Sequence, residues 1–398
     1  MKSKFKIFIA LFLFIGLFSC SNNNSIRPEI ETLESSKTET HIYGYDKMKD
    51  NTPNIVDNIE IIKLEETDNS LLSSIRKIEK IDSVYVIWDD LSGILCFNSE
   101  GKFLNSISKK GEAGNEYMKI NCFLVDSEKS IVIFDDVMNK MLKFKLDGTF
   151  ISSHKFKDYN SLSWMHSGAF ISDNRLFQEN YIYNDFNDIY TILSLNNEDK
   201  EIIYKTPLNT ASIAVPIGTH PISKTDGGVK FIIPFDNNIY TINNSGNLET
   251  VFNIVTDKTK ATEKELSEQK EYSVITSIEL SNKGYFQGFT DVFETNNHIL
   301  LAYYNLDYML INKITRQAIR FNNSISEEMV TMPFSGVIST TNDYFISVYS
   351  ISDLEKFEKI KYSGDENINK LKEFLKDYEY DSNPFLIVYK LKNDITKI

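Results

Sequence analysis

Two consecutive stretches of the chain repeat one pattern of short strands. Residues 84–104 and 131–151 each contain an alternating apolar strand, an Asp-Asp turn, a second strand, an acidic-Gly turn and a third strand. The first acid of the turn recurs after 46 residues, at Asp89 and Asp135. A repeat of this length built from antiparallel strands is typical of a β-propeller blade.

Weaker copies of the pattern continue along the chain. They cover 175–197, 230–251, 298–321, and a last repeat that joins 343–350 to 385–391. The sequence therefore predicts an all-β fold, a six-bladed β-propeller, with a seven-bladed ring as the alternative. Because an open ring would expose strand edges, we expect the lone strand 59–65 to pair with 385–391 and close the circle. The 27 Phe and 21 Tyr of the chain agree with sheet structure.

Two segments between the repeats carry helical patterns. In 262–272, Thr262 and Glu265 have the spacing of a capping box. In 365–378, apolar residues recur on one helical face after Asp365, a suitable N-cap. The sequence thus predicts one or two short helices inserted in the propeller.

The N-terminus has the organisation of an export signal. Three lysines precede the apolar run 7–18, which is shorter than the span of about 20 residues that crosses a bilayer. Residues 17–20 read Leu-Phe-Ser-Cys, which resembles a bacterial lipobox. The resemblance implies a signal peptide over 1–19 and acylation of Cys20, and two or three acyl chains would anchor the protein stably. An ordinary secretory signal is the alternative.

Residues 20–57 are polar and lack periodicity at their start, so we expect a lipid-anchored flexible tether that ends where the propeller, 58–398, begins. The stretch directly after Cys20 has no acidic cluster. In bacteroidete lipoproteins such a cluster often accompanies surface export. The expected location is therefore the cell envelope, at the outer membrane, and on its periplasmic face rather than the cell surface.

The loop between the first two repeats reads KGEAGNEY over 110–117, and NPFLIVYK follows at 383–390. With the strand pattern of 84–104, these motifs resemble the bacteroidete six-bladed β-propeller lipoproteins, in which this loop usually reads close to G-x-G-P-G-E-Y/F. Ala113 replaces the proline and Asn115 is inserted. The resemblance spans about 59–392 and extends more distantly to NHL-like repeats. It implies a fold and an envelope location, and no particular activity.

The formal net charge of −13 disfavours nucleic acid as a partner, because an acidic surface repels phosphate backbones. Cys96 and Cys122 both lie in predicted strands, where each is expected to be a buried apolar residue; a disulfide between them is the alternative.

Acids and amides recur in the predicted inter-strand turns. Equivalent turns of a propeller lie on one face, so these side chains are expected to surround one mouth of the channel, where they could bind a cation or sugar hydroxyls. The alternative is that each one only stabilises its own turn. The candidate ligand-binding residues are Asp89, Asp90, Asp135, Asp136, Asp236, Asn305 and Asp307.

The five histidines show no metal-binding spacing, so no metal or other cofactor is predicted. No nucleophile elbow, P-loop or dinucleotide-binding fingerprint is present. Aromatic residues could provide stacking surfaces for sugars or peptides, or fill the core. These are Trp88, Trp164, Tyr181, Tyr183, Tyr303 and Tyr304.

The sequence therefore favours an envelope lipoprotein that binds a glycan, a peptide or a partner protein and attaches to the membrane through acylated Cys20. Two alternatives remain. One is a propeller enzyme, a metal-dependent lyase, a lactonase or a glycan-active hydrolase. The other is an architectural subunit of an envelope complex.

Overall fold

The computed structural model of the chain describes most of the region that follows the predicted tether. The described residues are 40–41, 55–107, 109–157, 162, 165–180, 188–205, 220–254, 258–268, 279–303, 307–315, 317–322, 336–350, 353, 357, 365–379 and 382–393.

Six sheets make up the fold, each with four antiparallel strands, and one of them has a fifth, parallel strand at its edge. Strands that follow one another in the chain are neighbours within a sheet. Two short segments precede the first complete sheet: β1 (Thr40–His41) and β2 (Val56–Lys63). The first blade consists of β3 (Ile75–Ile81), β4 (Val84–Asp89), β5 (Gly93–Asn98) and β6 (Phe103–Ile107). The second consists of β7 (Cys122–Val125), β8 (Ile131–Asp135), β9 (Lys140–Phe144) and β10 (Phe150–Lys155). The third consists of β11 (Met165–Ser172), β12 (Arg175–Asn180), β13 (Asp188–Ser194) and β14 (Lys200–Lys205).

The remaining blades follow the same order. The fourth consists of β15 (Ile222–Thr225), β16 (Gly228–Ile232), β17 (Asn238–Ile242) and β18 (Leu248–Ile254). The fifth consists of β19 (Phe289–Glu294), β20 (His298–Tyr303), β21 (Asp307–Asn312) and β22 (Ala318–Asn322). The sixth consists of β23 (Val337–Thr340), β24 (Phe345–Tyr349) and β25 (Phe385–Leu391), and β2 is its fourth strand. The six-bladed propeller predicted from the repeats is confirmed.

The sixth blade joins the two ends of the folded body. β2 pairs antiparallel with β25 from Val56 opposite Leu391 to Lys63 opposite Phe385. Tyr389 of β25 is fully buried, and its hydroxyl lies 2.7 Å from the hydroxyl of Tyr349 in β24. The expected closure by N- and C-terminal strands is thus confirmed, because the sixth blade combines strands from both ends of the folded body.

The core lies between successive blades, because each sheet buries both of its faces against its neighbours. Ile133 of the second blade packs with Val86 of the first in one apolar cluster. Phe177 and Phe231, from the third and fourth blades, have ring centroids 5.0 Å apart. The alternating apolar residues of the strands supply these contacts, which accounts for the repeat seen in the sequence.

Both predicted helices are present. Helix α1 (Glu263–Ser267) begins with the capping box of Thr262 and Glu265 and lies between the fourth and fifth blades. Helix α2 (Glu366–Lys376) begins after Asp365, which accepts hydrogen bonds from two backbone N–H groups of the first turn. The side chain of Asn367 in α2 accepts a hydrogen bond of 3.2 Å from the backbone N–H of Ile59, so this helix is fixed to the closing blade.

The expected signal peptide, Cys20 and most of the expected tether lie outside the described residues. Within that tether, Thr40–His41 forms β1, which pairs parallel with the outermost strand of the fourth blade. Among the described residues, no helix has the length and hydropathy needed to span a bilayer.

Closure of the ring predicts a large effect of truncating β25 inside the sheet. Ile387 is fully buried between β2 and β24, and Ile387→Ala is expected to lower the free energy of unfolding by about 3 kcal/mol, because it leaves a cavity in the strand that seals the ring. Urea denaturation followed by circular dichroism measures the change. Lys390→Ala, at an exposed position of the same strand, is the control and should change the value by less than about 0.5 kcal/mol. Equal effects of the two changes would argue against closure by β25.

Candidate functional site

The first strand of every blade faces the axis of the ring, and these strands together enclose a cavity of about 530 Å³. They are β3, β7, β11, β15, β19 and β23, and β7 contacts β11, β15 contacts β19, and β23 contacts β3. The cavity is thus the central channel of the propeller. Its size lies within the range of roughly 300–1,000 Å³ that is common for small-molecule sites.

One mouth of the channel lies where these inner strands begin. Ile75, at the start of β3, pairs with Asp89, at the end of β4. The turn after the second strand therefore lies on the same face as the start of the first strand. Cys122 and Phe134 are paired in the same way in the second blade. The predicted placement of equivalent turns on one face holds for these blades.

An ion pair lies at this mouth on the first blade. Arg76 Nη2 is 2.5 Å from Asp90 Oδ2, and Arg76 Nε donates to the same oxygen at 2.7 Å. The hydrogen bond and charge of Arg76 hold the pKa of Asp90 below its ordinary value. Trp88, which is half-buried, lines the cavity beside this pair. The mouth thus offers a planar charged pair and an aromatic surface together.

His166 lies on the opposite wall, at the start of β11. Its Nδ1 is 2.8 Å from Oε2 of Glu179, whose side chain is fully buried behind it in β12. Burial lowers the pKa of His166, but the hydrogen bond and negative charge of Glu179 outweigh burial, so the pKa lies above its ordinary value. Glu179 therefore stabilises the protonated form of this imidazole relative to an isolated one.

His220 precedes β15 and lines the same cavity. Its backbone N–H donates to Asp291 Oδ1 at 2.7 Å, and its Nδ1 lies 3.8 Å from that oxygen. Burial raises the pKa of Asp291, yet the hydrogen bond and charge of His220 outweigh it, and the pKa lies below its ordinary value. A second carboxylate thus orients a second histidine of the channel.

Two lysines lie deeper in the channel, and each one donates to a carbonyl oxygen of a neighbouring inner strand. Lys77 Nζ donates to Phe123 O at 3.0 Å and also lies 3.0 Å from Glu79 Oε1. Lys224 Nζ donates to Phe170 O. These contacts join β3 to β7 and β15 to β11, so they stabilise the ring and also place two ammonium groups at the channel wall.

The predicted residues Asp89 and Asp135 are fully buried in their turns. Asp89 Oδ2 accepts from the backbone N–H groups of Ser73 and Ser74 at 2.7 and 2.6 Å, and its Oδ1 accepts from two further backbone N–H groups in its own turn. Asp135 repeats this arrangement, with Met118 N at 2.7 Å from Oδ2. Such saturation favours a turn-stabilising role for these two acids.

The other predicted acids have different surroundings. Asp136 pairs with Lys119 at 3.2 Å, on the same face as Asp90. Asp236 is buried in its turn, where it accepts from Tyr240 OH and pairs with Lys260, each at 3.0 Å. Asp307 is the first residue of β21, and Asn305 lies outside the described residues. Among the described members of the predicted set, only Asp90 is part of the cavity wall.

Sequence patterns did not single out most of the residues that line the cavity, such as Arg76, Lys119 and Lys224. Trp88 was singled out as an aromatic, and His166 and His220 were noted only as isolated histidines. A polar residue at every second position of an inner strand, as at Lys77 and Glu79 in β3, is the signal that could have found them.

The described residues contain no group of three or more His, Cys, Asp or Glu side chains suited to a metal ion. Cys96 and Cys122 are both buried and unbridged, and burial raises their pKa values to about 12 and about 11. They are the apolar core residues that the sequence predicted.

A family model described as a domain of unknown function, DUF4934, matches residues 40–390. The chain belongs to the DUF4934 family. The matched region begins at β1 and ends within β25, one residue before the end of that strand. No curated protein shows significant sequence similarity to the chain.

One solved structure has a fold similar to that of this DUF4934 member. An exported protein of Bacteroides fragilis superposes with a TM-score of 0.65 at 18% identity, covering 89% of this chain and 100% of that one. A member of the DUF4221 family from Bacteroides vulgatus gives a TM-score of 0.49 at 11% identity, with 86% and 99% covered. Virginiamycin B lyase from Staphylococcus aureus gives 0.38 at 12%, with 72% and 81% covered. At 18% identity, the likeness to the Bacteroides fragilis protein concerns the fold alone.

The contrast between Asp89 and Asp90 can be tested directly. Asp89→Asn is expected to lower the free energy of unfolding by about 1–3 kcal/mol, because an amide leaves some of the turn's buried N–H groups without an acceptor. Asp90→Asn, which weakens a more exposed ion pair, should cost less than about 1 kcal/mol. Denaturant unfolding of both variants decides the matter, and a larger effect at Asp90 would contradict the turn-stabilising role of Asp89.

Proposed function

We propose that this protein is an envelope lipoprotein that binds a polar oligosaccharide in the mouth of its central channel. Acyl chains on Cys20 would hold the propeller at the outer membrane, on the periplasmic face. The resemblance of residues 17–20 to a lipobox supports the anchor, and the exported structural neighbour agrees with an envelope location.

One observation carries the binding proposal: the channel mouth combines Trp88 with the Arg76–Asp90 pair and two carboxylate-backed histidines in one cavity. A pyranose ring has an apolar C–H face that packs on an indole, and hydroxyl groups that both donate and accept hydrogen bonds. The cavity supplies a surface of each kind. A peptide ligand would instead need apolar pockets for its side chains, which this charged and polar wall offers to a smaller degree.

A second candidate, docking of a partner protein, is supported by apolar residues on the same face. Leu71 and Leu91 of the first blade, and Met118 and Val137 of the second, are exposed at corresponding positions in the loops beside the channel. Adjacent exposed apolar side chains can form a contact surface for another protein. These four residues, the apolar rim, lie outside the cavity wall, so the two candidates can be separated by mutation.

The channel proposal predicts that Trp88→Ala weakens oligosaccharide binding by about five- to thirtyfold, because stacking on an indole contributes on the order of 1–2 kcal/mol. A glycan array of neutral and acidic oligosaccharides identifies ligands of the purified propeller, and calorimetry with the best of them measures the loss. Leu91→Ser, on the apolar rim, is the matched control and should bind normally. Loss of binding in Leu91→Ser with retention in Trp88→Ala would place the site on the rim instead.

The anchor proposal predicts that Cys20→Ala moves the protein from the membrane fraction to the soluble fraction, because no thiol remains for acylation. Cell fractionation and immunoblotting measure the distribution. Ser21→Ala, one residue further on, is the control and should stay with the membrane. Unchanged partitioning of Cys20→Ala would refute the lipoprotein assignment.

A further inference from the structure

We propose that the channel ligand is an anionic oligosaccharide, one that carries a carboxylate, sulfate or phosphate group, and that Lys224 binds the anionic group. This inference rests on the proposed function and adds the chemical class of the ligand. It comes from the distribution of charge along the cavity wall.

The balance of charge in the channel is opposite to that of the whole chain. The sequence has 56 Asp and Glu against 43 Lys and Arg. The cavity wall instead has four cationic side chains, Arg76, Lys77, Lys119 and Lys224, against two acids, Glu79 and Asp90. A channel with low-dielectric walls focuses the field of such groups on whatever enters it. This acidic protein thus concentrates cations in the axial cavity that its described residues form. The wall of that cavity is suited to an anion.

Three of the four cations already have a carboxylate partner. Arg76 pairs with Asp90 at 2.5 Å, Lys77 with Glu79 at 3.0 Å, and Lys119 with Asp136 at 3.2 Å. The two charges of each pair largely neutralise each other at the wall. These three cations therefore offer little uncompensated positive charge to an anion.

Lys224 differs from the other three, because no described carboxylate lies within ion-pairing distance of its ammonium group. Its hydrogen bond goes to a neutral acceptor, Phe170 O. Glu79, Asp126, Asp173 and Asp226 act on it only as more distant charges. An ammonium group has three N–H donors, so two remain for a ligand after the bond to the carbonyl.

Burial is the largest influence on Lys224 and lowers its pKa from the ordinary value, which distant acids do not fully offset. A charged group that is partly removed from water without a counter-ion is destabilised. An anionic ligand would supply the missing charge. The side chain remains accessible from the cavity, because Lys224 is exposed there and forms part of the wall.

A purely structural role for Lys224 would resemble that of Lys77, which also joins two inner strands through a carbonyl oxygen. Lys77, however, combines that bond with a carboxylate 3.0 Å away, and Lys224 does not. His166, whose Nδ1 contacts Glu179, lines the same cavity as Lys224. The two groups come from adjacent blades, so one ligand could contact both.

The experiment uses an array that pairs each neutral oligosaccharide with a uronate, a sulfated and a phosphorylated form of the same backbone. We expect the acidic member of a bound pair to bind at least about tenfold more tightly, since a hydrogen bond to a charged group contributes about 1.5–3 kcal/mol. Lys224→Met should remove this preference and leave the affinity for the neutral member within about twofold. Lys205→Met, at an exposed lysine of β14, makes the same change in net charge outside the channel and should keep the preference.

The outcomes separate the two proposals. If no oligosaccharide binds, the proposed function fails and this inference fails with it. If neutral and acidic members bind equally, or if Lys205→Met abolishes the preference as fully as Lys224→Met, channel binding stands and the inference about Lys224 is overturned. Lys224→Arg keeps the charge and should keep the preference, which guards against a folding defect in Lys224→Met. The relative affinities of the uronate, sulfate and phosphate forms identify the anionic group.

Discussion

The pairing of β2 with β25 is the contact on which the whole structure depends. Each sheet buries its two faces against its neighbours, so a ring that lacked this pairing would expose one apolar face at each end. The same contact connects residues that are more than 300 positions apart in the chain, as the pairing of Ile59 with Tyr389 shows. Closure therefore determines whether the six inner strands form a channel at all.

Within each blade, the middle strands pack in the apolar core and the inner strand lines the channel. The middle strands are buried on both sides, as in β4, where Val86 and Ile87 are fully buried and face neighbouring clusters on opposite sides. Side chains of the inner strands reach the axis, so fewer of them must pack in the apolar core. Residues such as Lys77 and His166 are therefore tolerated in these strands. Charged groups in such a position keep partial access to water and pair with buried acids such as Glu179. The propeller thus supports a polar site without weakening its core.

The sequence predicted the middle strands of the blades well and the inner strands poorly. A middle strand such as β8, which reads Ile-Val-Ile-Phe-Asp, is an apolar run bounded by turns, and this signal is strong. The short inner strand β15 reads Ile-Ser-Lys-Thr, which has no such signal. The cavity wall is built from these strands, so the best predicted strands contribute least to the candidate site. Of the acids predicted from the turns, Asp89 and Asp135 direct their oxygens to backbone N–H groups of nearby loops.

By itself, the sequence determined the repeat, the number of blades, the closing strand and both helix starts, because each is encoded in local periodicity or in a short capping pattern. Only the tertiary structure decided which side chains meet in the channel. Lys77 and Lys224 are 147 residues apart and lie on strands with different patterns. Their convergence depends on how the blades are arranged around the axis, a geometric relation that no single segment of the chain contains. The same arrangement left Lys224 beside a carbonyl oxygen and away from a carboxylate.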